Sequence, residues 1–144
     1  MSTAIIQKKD QLLADLSGIK DSESKYKFII DKGRSLPPLA DDQKQDKYLI
    51  EGCISRAWLV PELRGGKIYF YSDSEAAIVK GIMAIILEVY SGNTPADVLD
   101  FPPDFLREGG ITEHLSMNRR NGLSGVLKQI KLYAAAYKAL ARGT

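Results

Sequence analysis

A single thiol, Cys53, and a single imidazole, His114, are the only residues of their types in a chain of 144. A cysteine thiolate is strongly nucleophilic and exchanges sulfur through S–S bonds. One cysteine excludes an internal disulfide and agrees with a reducing compartment. One cysteine and one histidine fall short of the ligand set of a structural zinc site or a conventional cluster. Any sulfur chemistry must run on a lone thiol.

Cys53 lies in Glu51-Gly52-Cys53-Ile54-Ser55, ahead of the apolar run Ala57-Trp58-Leu59-Val60. Gly52 lets the backbone adopt conformations other residues resist. A thiol on a turn entering a strand is held at its base and presents its sulfur outward. An isolated cysteine is also often a small buried hydrophobe, so the local sequence leaves both readings open. Arg56 would lower the thiol pKa by turning toward the sulfur, although strand alternation can point it away. A cysteine hydrolase would use His114 as base and add an oxyanion hole, yet no local signature of that class is present.

The elements that must hold this thiol follow from apolar spacing. Ile5, Leu12, Leu13 and Leu16 predict a short amphipathic helix ended by Gly18. A second helix starts near Asp21 or Ser22, carries Tyr26, Ile29 and Ile30 on one face and ends near Gly33. Leu36-Pro37-Pro38-Leu39 cannot continue it. The polar run 41–47 reads as an exposed loop. The strand from Ala57 is expected to end at Pro61. A second strand, Ile68 to Tyr71, pairs with it through the Gly65-Gly66 turn. Ser72 with Glu75 matches a capping box, Asp73 being the alternative cap, and opens a helix running to about Tyr90. That helix is apolar around most of its circumference and is the expected centre of the core. Thr94-Pro95 caps a short next helix, which Pro102-Pro103 ends. A last helix begins after Leu115, with Leu123, Val126, Leu127, Ile130, Tyr133, Tyr137 and Leu140 on one face. The whole chain, 1–144, reads as one α+β domain: a small antiparallel sheet packed against several helices.

Charge narrows the partners. Twenty basic and eighteen acidic side chains leave a net +2, no basis for nucleic acid as the main partner. Arg119, Arg120, Lys128, Lys131, Lys138 and Arg142 read as a solvated helix face, with partner docking as the other use. The start lacks a basic n-region and is not a signal peptide. Ile78 to Tyr90 is too short for a membrane span and includes Lys80 and Glu88. The expected location is the cytoplasm.

Five ordered segments resemble the SufE family of sulfur acceptors, which includes the CsdE proteins. Tyr26-x-x-Ile29-Ile30-x-x-Gly33-x-x-Leu36-Pro37 is similar to its opening motif. Gly52-Cys53-x-Ser55-x-x-Trp58-Leu59 resembles its active-cysteine motif. Asp73-Ser74-Glu75-Ala76-Ala77-Ile78-Val79-Lys80-Gly81 resembles its central-helix motif. Thr94-Pro95-x-Asp97 and Leu115-x-x-x-Arg119-x-x-Gly122-Leu123 follow in family order. Ile54 and Arg56 depart from the glutamines that many members carry around the cysteine.

The resemblance implies a fold of the SufE/IscU type and a function. Cys53 would take persulfide sulfur from a SufS-type cysteine desulfurase, stimulate that enzyme, and deliver sulfur to a SufBCD-type scaffold complex for iron–sulfur cluster assembly. It implies a sulfur-transfer partner rather than an independent enzyme. Pyridoxal phosphate belongs to the desulfurase, and the chain itself would bind no cofactor. A CsdA-like desulfurase with another recipient is the alternative partnership. A scaffold role would call for more cysteines, while a docking module that only activates the desulfurase would call for none. The resemblance also gives Arg119 a role in holding the cysteine loop or favouring its thiolate, beside the plainer role of a surface or capping arginine. It sets Asp73 at the border of that loop, beside its role as helix cap.

Overall fold

The computed structural model describes residues 3–50 and 55–142, apart from the side chains of residues 114, 117, 118, 141 and 142. Among them are α1 (Thr3–Ser17), α2 (Ser22–Arg34), β1 (Ala57–Arg64), β2 (Lys67–Ser74), α3 (Ala77–Tyr90), α4 (Pro95–Asp100), α5 (Asp104–Glu108) and α6 (Met117–Arg142). Short 3-10 turns occupy Asp41–Gln43, Asp46–Tyr48 and Thr112–His114. The fold is α+β, with one two-stranded antiparallel sheet.

Helix α3 is the centre. Ile78, Ile82, Met83, Ile85, Ile86, Leu87, Val89 and Tyr90 are all buried, together covering most of its surface. Against it pack Ile5, Leu12 and Leu16 of α1, Ile29 of α2, Leu59, Ile68 and Phe70 of the sheet, and Val126 and Ile130 of α6. A second, smaller cluster joins Leu39, Trp58 and Val60, with Tyr48 and Leu49 against it. The stretch between α2 and β1 therefore packs on the hairpin.

The hairpin turns at Gly65 and Gly66, with φ of +59° and +78°. Two consecutive left-handed residues make the tight turn that suits twisted strands, and only glycine adopts it freely. Strand β1 runs through Pro61 instead of stopping there. Ile50 N–H donates to the Ala57 carbonyl at 2.9 Å, so Ala57 faces outward from the pair. By alternation position 61 faces the same open edge, where a missing N–H breaks no ladder bond. Tyr26 is 48% exposed rather than buried beside Ile29.

Helix α3 also starts later than the capping pattern predicts. Ser72 and Asp73 are strand residues, opposite Leu59 and Trp58. Neither caps the helix. The cap position is Ala76, which has no side chain able to serve. No side chain caps this helix; Ser74 Oγ accepts from the N–H of Ala76 itself, at 3.2 Å. Sheet pairing, which buries Trp58 and Leu59, outweighs a local cap worth about 1 kcal/mol.

Lys131 departs from the expected solvated face. Its Nζ donates to the carbonyls of Val98, Leu99 and Phe101 at 2.5, 3.1 and 2.6 Å. These close the C-terminus of α4, where a cation is favoured. The ammonium also lies over the Tyr90 ring, 5.0 Å from its centroid. Burial holds its pKa below the usual lysine value, with Asp100 pulling the other way.

Candidate functional site

Cys53 lies outside the described residues, but those flanking its segment are within them. On one side, Leu49 bridges to Trp58, beside the bond from Ile50 to Ala57. On the other, the Arg56 carbonyl accepts from Glu75 N–H at 3.0 Å and from Ser74 Oγ at 2.9 Å. Both flanks are fixed to the start of β1 and to the turn between β2 and α3. Arg56 itself lies 5.1 Å over the Trp58 ring and 3.8 Å from Glu75 Oε1.

A cleft of about 410 Å³ opens beside Ser55. Val79, Ile82 and Met83 of α3 and Leu123 and Val126 of α6 make its apolar walls, and Ser55, Ser116 and Arg119 supply polar groups. This size and mixture suit a binding or reaction site. Two elements far apart in sequence converge here because α3 and α6 share the core. Ser116 caps α6: its Oγ accepts from Arg119 N–H at 3.3 Å and its carbonyl from Arg120 N–H at 2.9 Å. Arg119 is thus in the cleft wall, at the positive end of a long helix. An anion in the cleft, a thiolate included, is favoured by both.

Asp73 is not in that cleft. It is buried on the hairpin, where Oδ2 accepts from Leu39 N–H at 3.1 Å and Oδ1 from Ser74 N–H at 2.8 Å. Lys80 Nζ lies 3.4 Å away and Lys44 Nζ 3.6 Å. Burial pushes this carboxyl up. The two N–H donors and the two ammoniums outweigh burial and hold it below its ordinary value of 3.8. Asp73 thereby ties the stretch around Leu39, the turn at Lys44 and the start of α3 to one strand end. Its contribution is full above pH 3.8 and is lost as pH falls through the lower folded value. Asp73→Asn is expected to lower stability by about 2 kcal/mol at neutral pH. In urea unfolding, the gap from wild type should close below about pH 3.8. A gap that is the same in acid would remove the electrostatic account.

His114 belongs to the turn just before Ser116, and its side chain is not among those described. The cleft walls went unnoticed in the sequence. Ser116, a good cap type before a long apolar pattern, was a signal. Lys44 carried no sequence signal, and Lys80 stood out only as part of the central-helix motif. Among the described residues no group of three or more His, Cys, Asp or Glu is placed to hold a metal. No helix among them is long and apolar enough to cross a membrane.

Fold and cleft define an α+β domain in which Ser55, just ahead of β1, lies at a cleft between two core helices. Residues 10–134 match the SufE family, described as an Fe–S metabolism associated domain. The match covers most of the chain, and the chain belongs to that family. In fold it is similar to the solution structure of a hypothetical protein from Thermus thermophilus. The TM-score is 0.75 over 93% of this chain and 96% of that one, at 24% identity.

Proposed function

We propose that this protein is a sulfur carrier that accepts persulfide sulfur on Cys53 from a cysteine desulfurase and passes it on for iron–sulfur cluster assembly. The observation that carries this reading is the cleft at Ser55, in a chain of a family tied to Fe–S metabolism. Covalent geometry keeps the Cys53 α-carbon within about 8 Å of that of Ser55. The apolar walls would shelter a sulfur from water and stray thiols. Arg119 and the start of α6 would favour the thiolate that has to attack.

The chemistry is thiol exchange. The Cys53 thiolate attacks the outer sulfur of the donor's persulfide. A new S–S bond forms on Cys53, the donor's S–S bond breaks, and the donor cysteine leaves as a thiolate. No external oxidant or reductant is consumed. Pyridoxal phosphate remains in the donor, which generates the persulfide. The proposed donor is of the SufS type and the recipient a SufBCD-type scaffold complex. Parallel assays with a CsdA-type donor would separate the two partnerships by rate.

The deciding experiment is the intact mass of the protein after incubation with a desulfurase and free cysteine. A gain of about 32 Da that disappears on reduction is expected. An unchanged mass would sink the proposal. Arg119 is tested separately through the thiol. If it favours the thiolate, Arg119→Gln raises the apparent pKa of Cys53 alkylation by about half a unit to one unit. An unmoved alkylation profile leaves Arg119 only a capping or packing part.

A further inference from the structure

Ser72 is 1% exposed, and its hydroxyl has no hydrogen-bond partner. A buried hydroxyl left unpaired is costly, and folded proteins keep few of them. Ser72 also marks a break in main-chain pairing. On the side of β2 away from β1, Ile68 N–H donates to the Asn93 carbonyl at 2.8 Å and Gly92 N–H to the Ile68 carbonyl at 2.7 Å. Phe70 N–H donates to Ser91 Oγ at 3.0 Å. Alternation along the strand turns the N–H and carbonyl of Ser72 to that same edge. There, among the described residues, no main-chain group pairs with them.

The neighbouring stretch explains the break. Leu39 N–H donates to Asp73 Oδ2, which ties the α2–β1 stretch beside β2. Pro37 and Pro38 come just before it and have no N–H to give to a strand edge. With Leu36, Phe70 and Ser72 they line a pocket of about 240 Å³, which takes the place of a third strand. That volume falls below the roughly 300–1,000 Å³ of small-molecule pockets and suits a residue or two of an extended chain. The rim is acidic. Glu62 lines it while holding Arg64 at 2.9 Å, and Asp41 and Asp42 share a turn with Gln43, another lining residue.

We propose that this pocket is a strand-addition site for an extended basic peptide segment of another protein, carrying one apolar residue. The segment's N–H and carbonyl would pair with the open edge at Ser72, its apolar side chain would enter the pocket, and its cations would face the acidic rim. The pocket shares no lining residue with the cleft at Ser55, so a protein held here by a tail leaves that cleft open. The site does not depend on the sulfur-carrier reading.

The test is an amide NMR titration of the whole chain with acetyl-Lys-Leu-Lys-amide. Two controls are the same peptide N-methylated at leucine and acetyl-Glu-Leu-Glu-amide. The lysine peptide should shift the amides of Phe70, Tyr71, Ser72 and Leu39. N-methylation removes the pairing N–H and should weaken binding about tenfold, and the glutamate peptide should also bind more weakly. Ser72→Ala should weaken the lysine peptide about fivefold. Its melting temperature should equal or exceed that of wild type, because the substitution removes a buried unpaired oxygen. A lower melting temperature would show that the hydroxyl already serves the fold, and would overturn the proposal. Shifts confined to other residues, or an N-methylated peptide that binds as well as its parent, would overturn it too.

Discussion

Cys53→Ser is expected to abolish the reducible adduct of about 32 Da that wild type gains from a desulfurase and cysteine. The loss should be complete. A serine hydroxyl is not ionised near neutrality, and oxygen cannot stand in for sulfur as a persulfide carrier. Stability should change by less than about 0.5 kcal/mol, because the swap replaces one small side chain by another. Unfolding midpoints in urea check that the fold is intact. Sulfur retained on the serine protein would place the acceptor elsewhere. Cys53→Ala adds a second readout. Should it stimulate the desulfurase as fully as wild type, stimulation would come from docking, not from removal of sulfur.

What the sequence made legible was periodic or local. The apolar circumference of α3 marks it as the central helix, and it is buried on nearly all sides. Asp21 caps α2, accepting from Ser24 N–H at 2.9 Å, and Thr94 caps α4 ahead of Pro95. Gly65-Gly66 turns the hairpin. The failures came where a distant partner overrode a local preference. Ser72 and Asp73 have cap chemistry, yet pairing with Leu59 and Trp58 draws them into β2. Pro61 should end a strand, but the open edge makes its missing N–H harmless. Lys131 has the spacing of a solvated residue, and only the end of α4 explains why it turns inward.

The site shows the same division. Arg119 was singled out by resemblance and lines the cleft, while Cys53 lies outside the described residues; the cleft itself is made by α3 and α6 meeting in space. Of the two readings of Asp73, helix cap and border of the cysteine loop, the structure overturns the cap. It is a buried carboxylate holding Leu39 and two lysines. No spacing rule connects positions 39, 44, 73 and 80, since their meeting depends on how the α2–β1 stretch folds back on the hairpin.

Two glycines decide whether α3 reaches its place at all. Helices α2 and α3 cross with backbone against backbone at Gly33 and Gly81. A Cβ at Gly81 would fall on the carbonyl group of Ile29, and one at Gly33 would stand 2.7 Å from the Gly81 nitrogen. In a free helix, Gly→Ala would gain about 1 kcal/mol from propensity. At Gly81 the obstruction is backbone, which cannot swing aside as a side chain does. The helices must separate, opening the packing of Ile29 against α3. Overpacking of this kind costs about 1 to 3 kcal/mol for side-chain clashes, and a backbone clash belongs at or above the top of that range. Gly81→Ala is therefore expected to destabilise the protein by about 3 kcal/mol net, lowering the melting temperature by roughly 6 to 12 °C. Gly18→Ala is the matched control, since a Cβ there meets nothing within 4 Å. It should be neutral or stabilising by up to about 1 kcal/mol. Because Val79, Ile82 and Met83 line the cleft from the same helix, surviving folded Gly81→Ala protein should also load sulfur more slowly. An alanine at 81 as stable as wild type would mean that the close crossing does not set the position of α3.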